Sequence, residues 1–124
     1  MKILELTDLN YNKIVINGDK HIFIDFYSPL CGPCQTLQSY LPEIAKYAEN
    51  KDTLVVKCDI TKNPKINRFY QVIATPLTMI INKDTKKINN VKDGVRNIHE
   101  YFEAIDKNVE EEKSFFSKFL SIFR

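Results

Sequence analysis

A chain of 124 residues fits one domain with room for a hydrophobic core. Its 18 basic residues stand against 16 acidic ones, and a net charge of +2 is too even for a nucleic-acid-binding surface, which needs a basic surplus on one face. No run approaches the ~18–20 consecutive apolar residues of a membrane span, and an acid at Glu5 interrupts the opening before any apolar stretch of signal length, so the cytoplasm is the expected compartment.

Residues 2–6 are short and apolar, which predicts an edge strand. Thr7 or Asp8 can cap a helix reaching about Asn17, with Leu9, Ile14 and Val15 inward and Gly18 as its stop. Residues 21–27, His-Ile-Phe-Ile-Asp-Phe-Tyr, are β-branched and aromatic and apolar on both faces. That predicts a central strand covered on both sides. Leu37, Leu41, Ile44, Ala45 and Ala48 then recur at helical spacing to about Asn50. Pro42 inside that run removes a backbone donor and should kink the helix. Residues 53–60 read as a second buried strand. Asn63-Pro64 opens a short helix, a capping side chain followed by proline in the first turn, with Ile66, Phe69 and Tyr70 inward. Residues 76–82 and 86–92 are strands joined by a polar turn, close enough for an antiparallel hairpin. Asp93-Gly94 is a turn, and 97–108 a helix with Ile98, Tyr101, Phe102 and Ile105 on one face. The order β-α-β-α-β-α-β-β-α predicts an α/β sandwich around a mixed sheet.

Residues 109–124 stand outside that unit, so the chain divides into a domain, 1–108, and an extension, 109–124. Val109-Glu110-Glu111-Glu112-Lys113 is a charged joint. Beyond it Phe115, Phe116, Phe119, Leu120, Ile122 and Phe123 fall in one arc at about 100° per residue, which predicts an amphipathic helix that docks by its phenylalanine face. Three destinations are open: its own domain, a partner or second copy, or a membrane surface. Lys113, Lys118 and Arg124 favour the membrane; Glu110, Glu111 and Glu112 oppose it.

The chain has three cysteines, Cys31, Cys34 and Cys58. An odd count without a secretion signal argues against a disulfide framework. Cys31-Gly32-Pro33-Cys34 follows a buried strand and opens a helix, so Cys31 falls at the helix N-terminus. Free backbone N–H groups and the helix dipole stabilise a thiolate there. An ordinary cysteine, titrating near ~8.5, is only ~3% thiolate at neutral pH, so any lowering raises the nucleophile's concentration. Pro33 suits the first turn. Cys34, deeper in the helix, can strike only an atom held at Cys31. Cys31 therefore attacks a substrate disulfide, and Cys34 resolves the mixed disulfide. A zinc site would need four ligands, and only Cys58, His21 and His99 remain, scattered and unpatterned; no metal is expected. Cys58, in an apolar strand, reads as a buried bystander. Asp25 is out of place: a carboxylate in a two-sided apolar strand costs several kcal/mol unless protonated or paired, so its pKa should be raised.

The segment Phe23-Ile24-Asp25-Phe26-Tyr27-Ser28-Pro29-Leu30-Cys31-Gly32-Pro33-Cys34 resembles the thioredoxin active site. The resemblance continues in matching order and spacing through Lys57, Asn63-Pro64, Thr75-Pro76 and Gly94, and covers about residues 1–108. It implies the thioredoxin fold and a protein-disulfide reductase. Asp25 matches the family's buried aspartate, which passes a proton to or from Cys34, and Lys57 a lysine near it. Pro76 matches a cis-proline facing the cysteines, whose neighbouring backbone pairs with substrate; sequence alone gives only a strand-initial proline, trans by default. Leu30, Gly32, Pro33, Thr75, Pro76 and Gly94 make up the implied substrate-binding set. No cofactor is bound; electrons come from NADPH through a thioredoxin reductase. The implied partners are that reductase and disulfide-containing proteins. The chain departs from the family where tryptophans are common, at Leu30 and Tyr27. The family's kink proline falls at Ser39, three residues before Pro42, and the usual hairpin glycine is Asp84. Two alternatives remain open: a dedicated redox partner of one protein, and a non-catalytic adaptor recruited through the C-terminal helix.

Overall fold

The computed structural model describes residues 3–122, with side chains at 3–110, 118, 120 and 122. Five strands, β1 (Leu4–Glu5), β2 (His21–Tyr27), β3 (Thr53–Asp59), β4 (Leu77–Ile81) and β5 (Ile88–Asp93), form one sheet in the order β1-β3-β2-β4-β5. The first three run parallel; β4 is antiparallel to β2, and β5 to β4. The helices are α1 (Gly32–Glu49), α2 (Pro64–Tyr70) and α3 (Ile98–Ile122).

The alternation of a strand explains the two-sided burial of β2. Phe23 joins Val55 and Ile80 on the face covered by Leu37, Leu41 and Ile44 of α1 and by Tyr101 and Ile105 of α3. Ile22, Ile24 and Phe26 join Val56, Cys58 and Met79 on the other face, under Val15 and Ile66. A strand with helices on both sides must be apolar at every position, and β2 is, except at His21 and Asp25. The mixed sheet between helices is the expected architecture.

The expected first helix is only a single π-helical turn, Asn12–Ile16. Thr7 and Asn10 close a tight turn on each other: the Thr7 N–H donates to Asn10 Oδ1 (2.7 Å) and the Asn10 N–H to Thr7 Oγ1 (3.2 Å). Side chains that satisfy the local backbone in this way compete with helix propagation. Leu9, expected inward, is 98% exposed. Gly18 follows the cap residue Asn17, and a Cβ there would lie 2.1 Å from the Ile14 carbonyl oxygen, so the position requires glycine. Asp8 caps a different element: its carboxylate accepts from the N–H groups of Lys65 (3.1 Å) and Ile66 (3.0 Å) at the start of α2. Asn63, expected to cap α2 with its side chain, instead accepts from the Asp8 N–H (3.0 Å) and donates to the Asp59 carbonyl (2.9 Å). Phe69, also expected inward, is 72% exposed, because Ile66 and Tyr70, four residues apart, already fill the sheet-facing line of this two-turn helix.

The charged joint at 109–113 is also absent: α3 runs unbroken for 25 residues. Glutamate and lysine propagate a helix well, and neither glycine nor proline interrupts the run. The proximal part of α3 is anchored by Asn108, whose Oδ1 accepts from Asn82 Nδ2 (3.1 Å) and Asn89 Nδ2 (2.9 Å), and by Asp106, which accepts from the Tyr47 hydroxyl (2.6 Å). Farther along, Leu120 and Ile122 are exposed. The side chains of Phe115, Phe116, Phe119 and Phe123, on which the docking expectation rests, lie outside the described residues.

Candidate active site

Strand β2 ends at Tyr27, and Ser28-Pro29-Leu30 carries the chain to Cys31, the N-cap of α1. Pro33 stands in the first turn, where no intrahelical donor is required. Cys31 Sγ accepts from the Cys34 N–H at 3.2 Å, so the sulfur takes the place a capping oxygen would occupy, at the positive end of the helix. Cys31 and Cys34 are joined as a disulfide with Cα atoms 5.2 Å apart. Cys34 is buried, Cys31 half-buried, and Gly32 and Pro33 exposed.

Two further loops meet this one. Cys31 Sγ lies 3.5 Å from the Thr75 carbonyl oxygen, and the Thr75–Pro76 peptide is cis, as the resemblance implied. The Pro76 carbonyl accepts from the Gly94 N–H at 2.9 Å. Gly94 has φ +70°, a left-handed backbone that suits glycine, and this fixes the residue after β5 beside the proline. Cys31, Cys34, Thr75, Pro76 and Gly94, far apart in sequence, are thus neighbours. Leu30 stands at the rim, wholly exposed, and Ile73, which the sequence reading passed over, is 96% exposed just before Thr75.

One row of residues crosses the whole sheet on the face that α1 and α3 cover. Glu5 pairs in register with Lys57, Lys57 with Asp25, Asp25 with Thr78, and Thr78 with Lys92. Asp25 is wholly buried, and among the described residues neither carboxyl oxygen has a hydrogen-bond partner. Burial pushes its pKa up from 3.8 to about 7; the Lys57 ammonium pulls against the rise and the Glu5 carboxylate adds to it. The ion pair of Lys57 is with Glu5 (3.5 Å), and the Tyr27 hydroxyl donates to the same Glu5 oxygen (2.7 Å). Lys57 Nζ also stands 5.8 Å from the centroid of the Tyr27 ring.

Glu5 is the member of this group that sequence reasoning missed. Its only sequence signal is an acid in a short apolar stretch, and nothing local says which lysine lies opposite. Cys58 is buried on the other face of the sheet, and its thiol pKa is pushed up to about 12, first by burial and then by Asp8, Glu5 and Asp59.

A family model described as Thioredoxin matches residues 2–107. A thioredoxin of Buchnera aphidicola is 32% identical over 108 residues, covering 87% of this chain and 97% of that protein. A thioredoxin of Griffithsia pacifica is 36% identical over 92 residues, 73% of this chain and 82% of its own length. A bifunctional thioredoxin reductase/thioredoxin of Mycobacterium leprae is 37% identical over 78 residues, which cover 63% of this chain and 17% of that protein. The crystal structure of chloroplastic thioredoxin z superposes with a TM-score of 0.76 at 23% identity, over 87% of this chain and 95% of that one, a likeness of fold.

Proposed function

The chain belongs to the thioredoxin family and is a thiol–disulfide oxidoreductase, a protein-disulfide reductase; on that premise we propose the following roles for its residues. The Cys31 thiolate attacks one sulfur of a substrate disulfide. That disulfide breaks, a mixed disulfide forms at Cys31, and the departing sulfur takes a proton from water. The Asp25 carboxylate then takes the thiol proton of Cys34. The Cys34 thiolate attacks the Cys31 sulfur, the mixed disulfide breaks, and the second substrate sulfur leaves and is protonated. The substrate gains two electrons and two protons, and the protein is left with the Cys31–Cys34 disulfide. Lys57 tunes Asp25. Leu30, Gly32 and Pro33 with Thr75, Pro76 and Gly94 receive the substrate, and the exposed Leu30 and Ile73 offer it apolar surface. The observation that carries this reading is the Cys31–Cys34 pair at the N-terminus of α1, against the Thr75 carbonyl, together with a buried, unbonded carboxyl at Asp25.

The protein holds no cofactor of its own in this reading and works in the cytoplasm. Electrons come from NADPH through a thioredoxin reductase, a pairing supported by the relative whose name joins both activities. No helix among the described residues is long and apolar enough to cross a membrane. Beyond the catalytic domain, 1–108, the distal part of α3 pairs with a second copy of the chain. Leu120 and Ile122, on this part of the helix, are exposed and leave apolar surface for a partner. In the sequence, 109–124 opens with the acids Glu110, Glu111 and Glu112 and carries its apolar residues beyond them, an amphipathic pattern that suits pairing with an identical segment.

Two assays test the reading. Dithiothreitol-driven insulin reduction should accelerate in the presence of the protein, and adding NADPH and a thioredoxin reductase should replace dithiothreitol. An adaptor would support neither, and a dedicated redox partner of one protein only the first.

A further inference from the structure

The row Glu5, Lys57, Asp25 places one ammonium between two carboxylates, and the ammonium pairs with the outer one. Two features hold that arrangement. The Tyr27 hydroxyl donates to Glu5 Oε1, fixing the carboxylate at the sheet edge, and the Tyr27 ring faces the same ammonium. Tyr27 occupies a position where the family resemblance calls for tryptophan, which has no hydroxyl. The inner carboxylate, Asp25, is left without a hydrogen bond among the described residues.

We propose that Glu5 is a positioning residue for disulfide reduction: held by Tyr27, it draws Lys57 toward the sheet edge and leaves the buried Asp25 carboxyl able to take the Cys34 proton. An ammonium closed directly onto Asp25 would hold it as a satisfied carboxylate and a poor base. A general base works best when its pKa lies near the working pH, and the value of about 7 at Asp25 agrees with that requirement. The other groups that face Asp25 do not supply the effect. Thr78 on β4 is uncharged, and Lys92 lies one strand farther along the row. Tyr101 on α3 has its hydroxyl engaged by the Arg96 N–H at 2.8 Å, and Cys34 on α1 is the proton's source.

This inference rests on the proposed role of Asp25 in proton transfer, but its test does not need turnover. The Asp25 carboxyl carbon is followed by NMR across pH in the oxidised full-length protein. Glu5→Gln should lower the titration midpoint by about one pH unit, the smaller end of what an opposite charge at close range produces. Tyr27→Phe, which loosens Glu5 while keeping every charge, should lower it in the same direction by less. Lys57→Gln should raise it, and in that background Glu5→Gln should produce less than about a third of its former shift, since its partner is gone. Insulin reduction by Glu5→Gln should show its acid limb displaced to lower pH by the same amount. An unchanged midpoint in Glu5→Gln overturns the proposal. So does an equal shift with and without Lys57, which would make Glu5 a distant charge and not a positioning group. Failure of the wild-type protein to reduce insulin would instead sink the reductase reading, whatever the titration shows.

Discussion

Replacing Asp25 with alanine should stabilise the oxidised fold at neutral pH while slowing disulfide reduction. The folded carboxyl is wholly buried, and burial pushes its pKa up from 3.8 to about 7. Below 3.8 the group keeps its proton in the folded and the unfolded chain alike, and the two states do not differ on its account. Between 3.8 and about 7 the unfolded chain has released the proton and the folded chain has not, so stability falls as pH rises. The slope is ~1.4 kcal/mol per pH unit, and over that window the loss reaches ~4 kcal/mol, complete above the folded-state pKa. Alanine removes this loss and leaves a small void worth roughly 1 kcal/mol. The variant should therefore be about 3 kcal/mol more stable than wild type near pH 8 and slightly less stable near pH 4. Urea unfolding of both oxidised proteins between about pH 4 and 8 reads the difference directly. A gap that stays constant with pH, or wild type gaining on the variant as pH rises, would refute the burial argument and make Asp25 a satisfied structural carboxylate. Insulin reduction by the variant at neutral pH should fall roughly 100-fold, the smaller end of what a positioned base contributes.

The order of the two cysteines is checked by serine substitution: Cys31→Ser should abolish turnover, whereas Cys34→Ser should trap substrates as mixed disulfides through Cys31, visible on non-reducing gels. Recovery of such complexes from Cys31→Ser would reverse the assignment. Cys58, with its thiol pushed up to about 12, should resist alkylation in the native protein at neutral pH and react only on unfolding; rapid native labelling found by mass spectrometry would contradict its burial. Deleting 109–124 should convert a dimer to a monomer by light scattering and leave insulin reduction intact. An unchanged mass would rule out self-pairing, and lost binding to anionic vesicles would assign the segment to a membrane surface.

What the sequence determined by itself is local. The Cys31-Gly32-Pro33-Cys34 motif, the two-sided apolar run of β2 and the spacing of Leu37, Leu41, Ile44 and Ala48 each encode burial within one element. All were legible because side-chain period and helix capping act over a few residues. The anomaly of Asp25 was legible for the same reason: its neighbours declare the strand buried. What the tertiary structure alone decided is which residues lie opposite one another. Asp8 reads locally as a cap for its own segment, yet it caps α2, because the turn closed by Thr7 and Asn10 aims it across the fold. Phe69 is apolar and in phase, yet exposed, because a two-turn helix has one sheet-facing line and Ile66 and Tyr70 occupy it. Lys57 lies opposite Asp25 in register, but that it also pairs with Glu5 is set by the parallel register of β1 on β3. Register is a relation between strands that no single strand carries, so the chemistry that depends on it emerges only when the sheet is assembled.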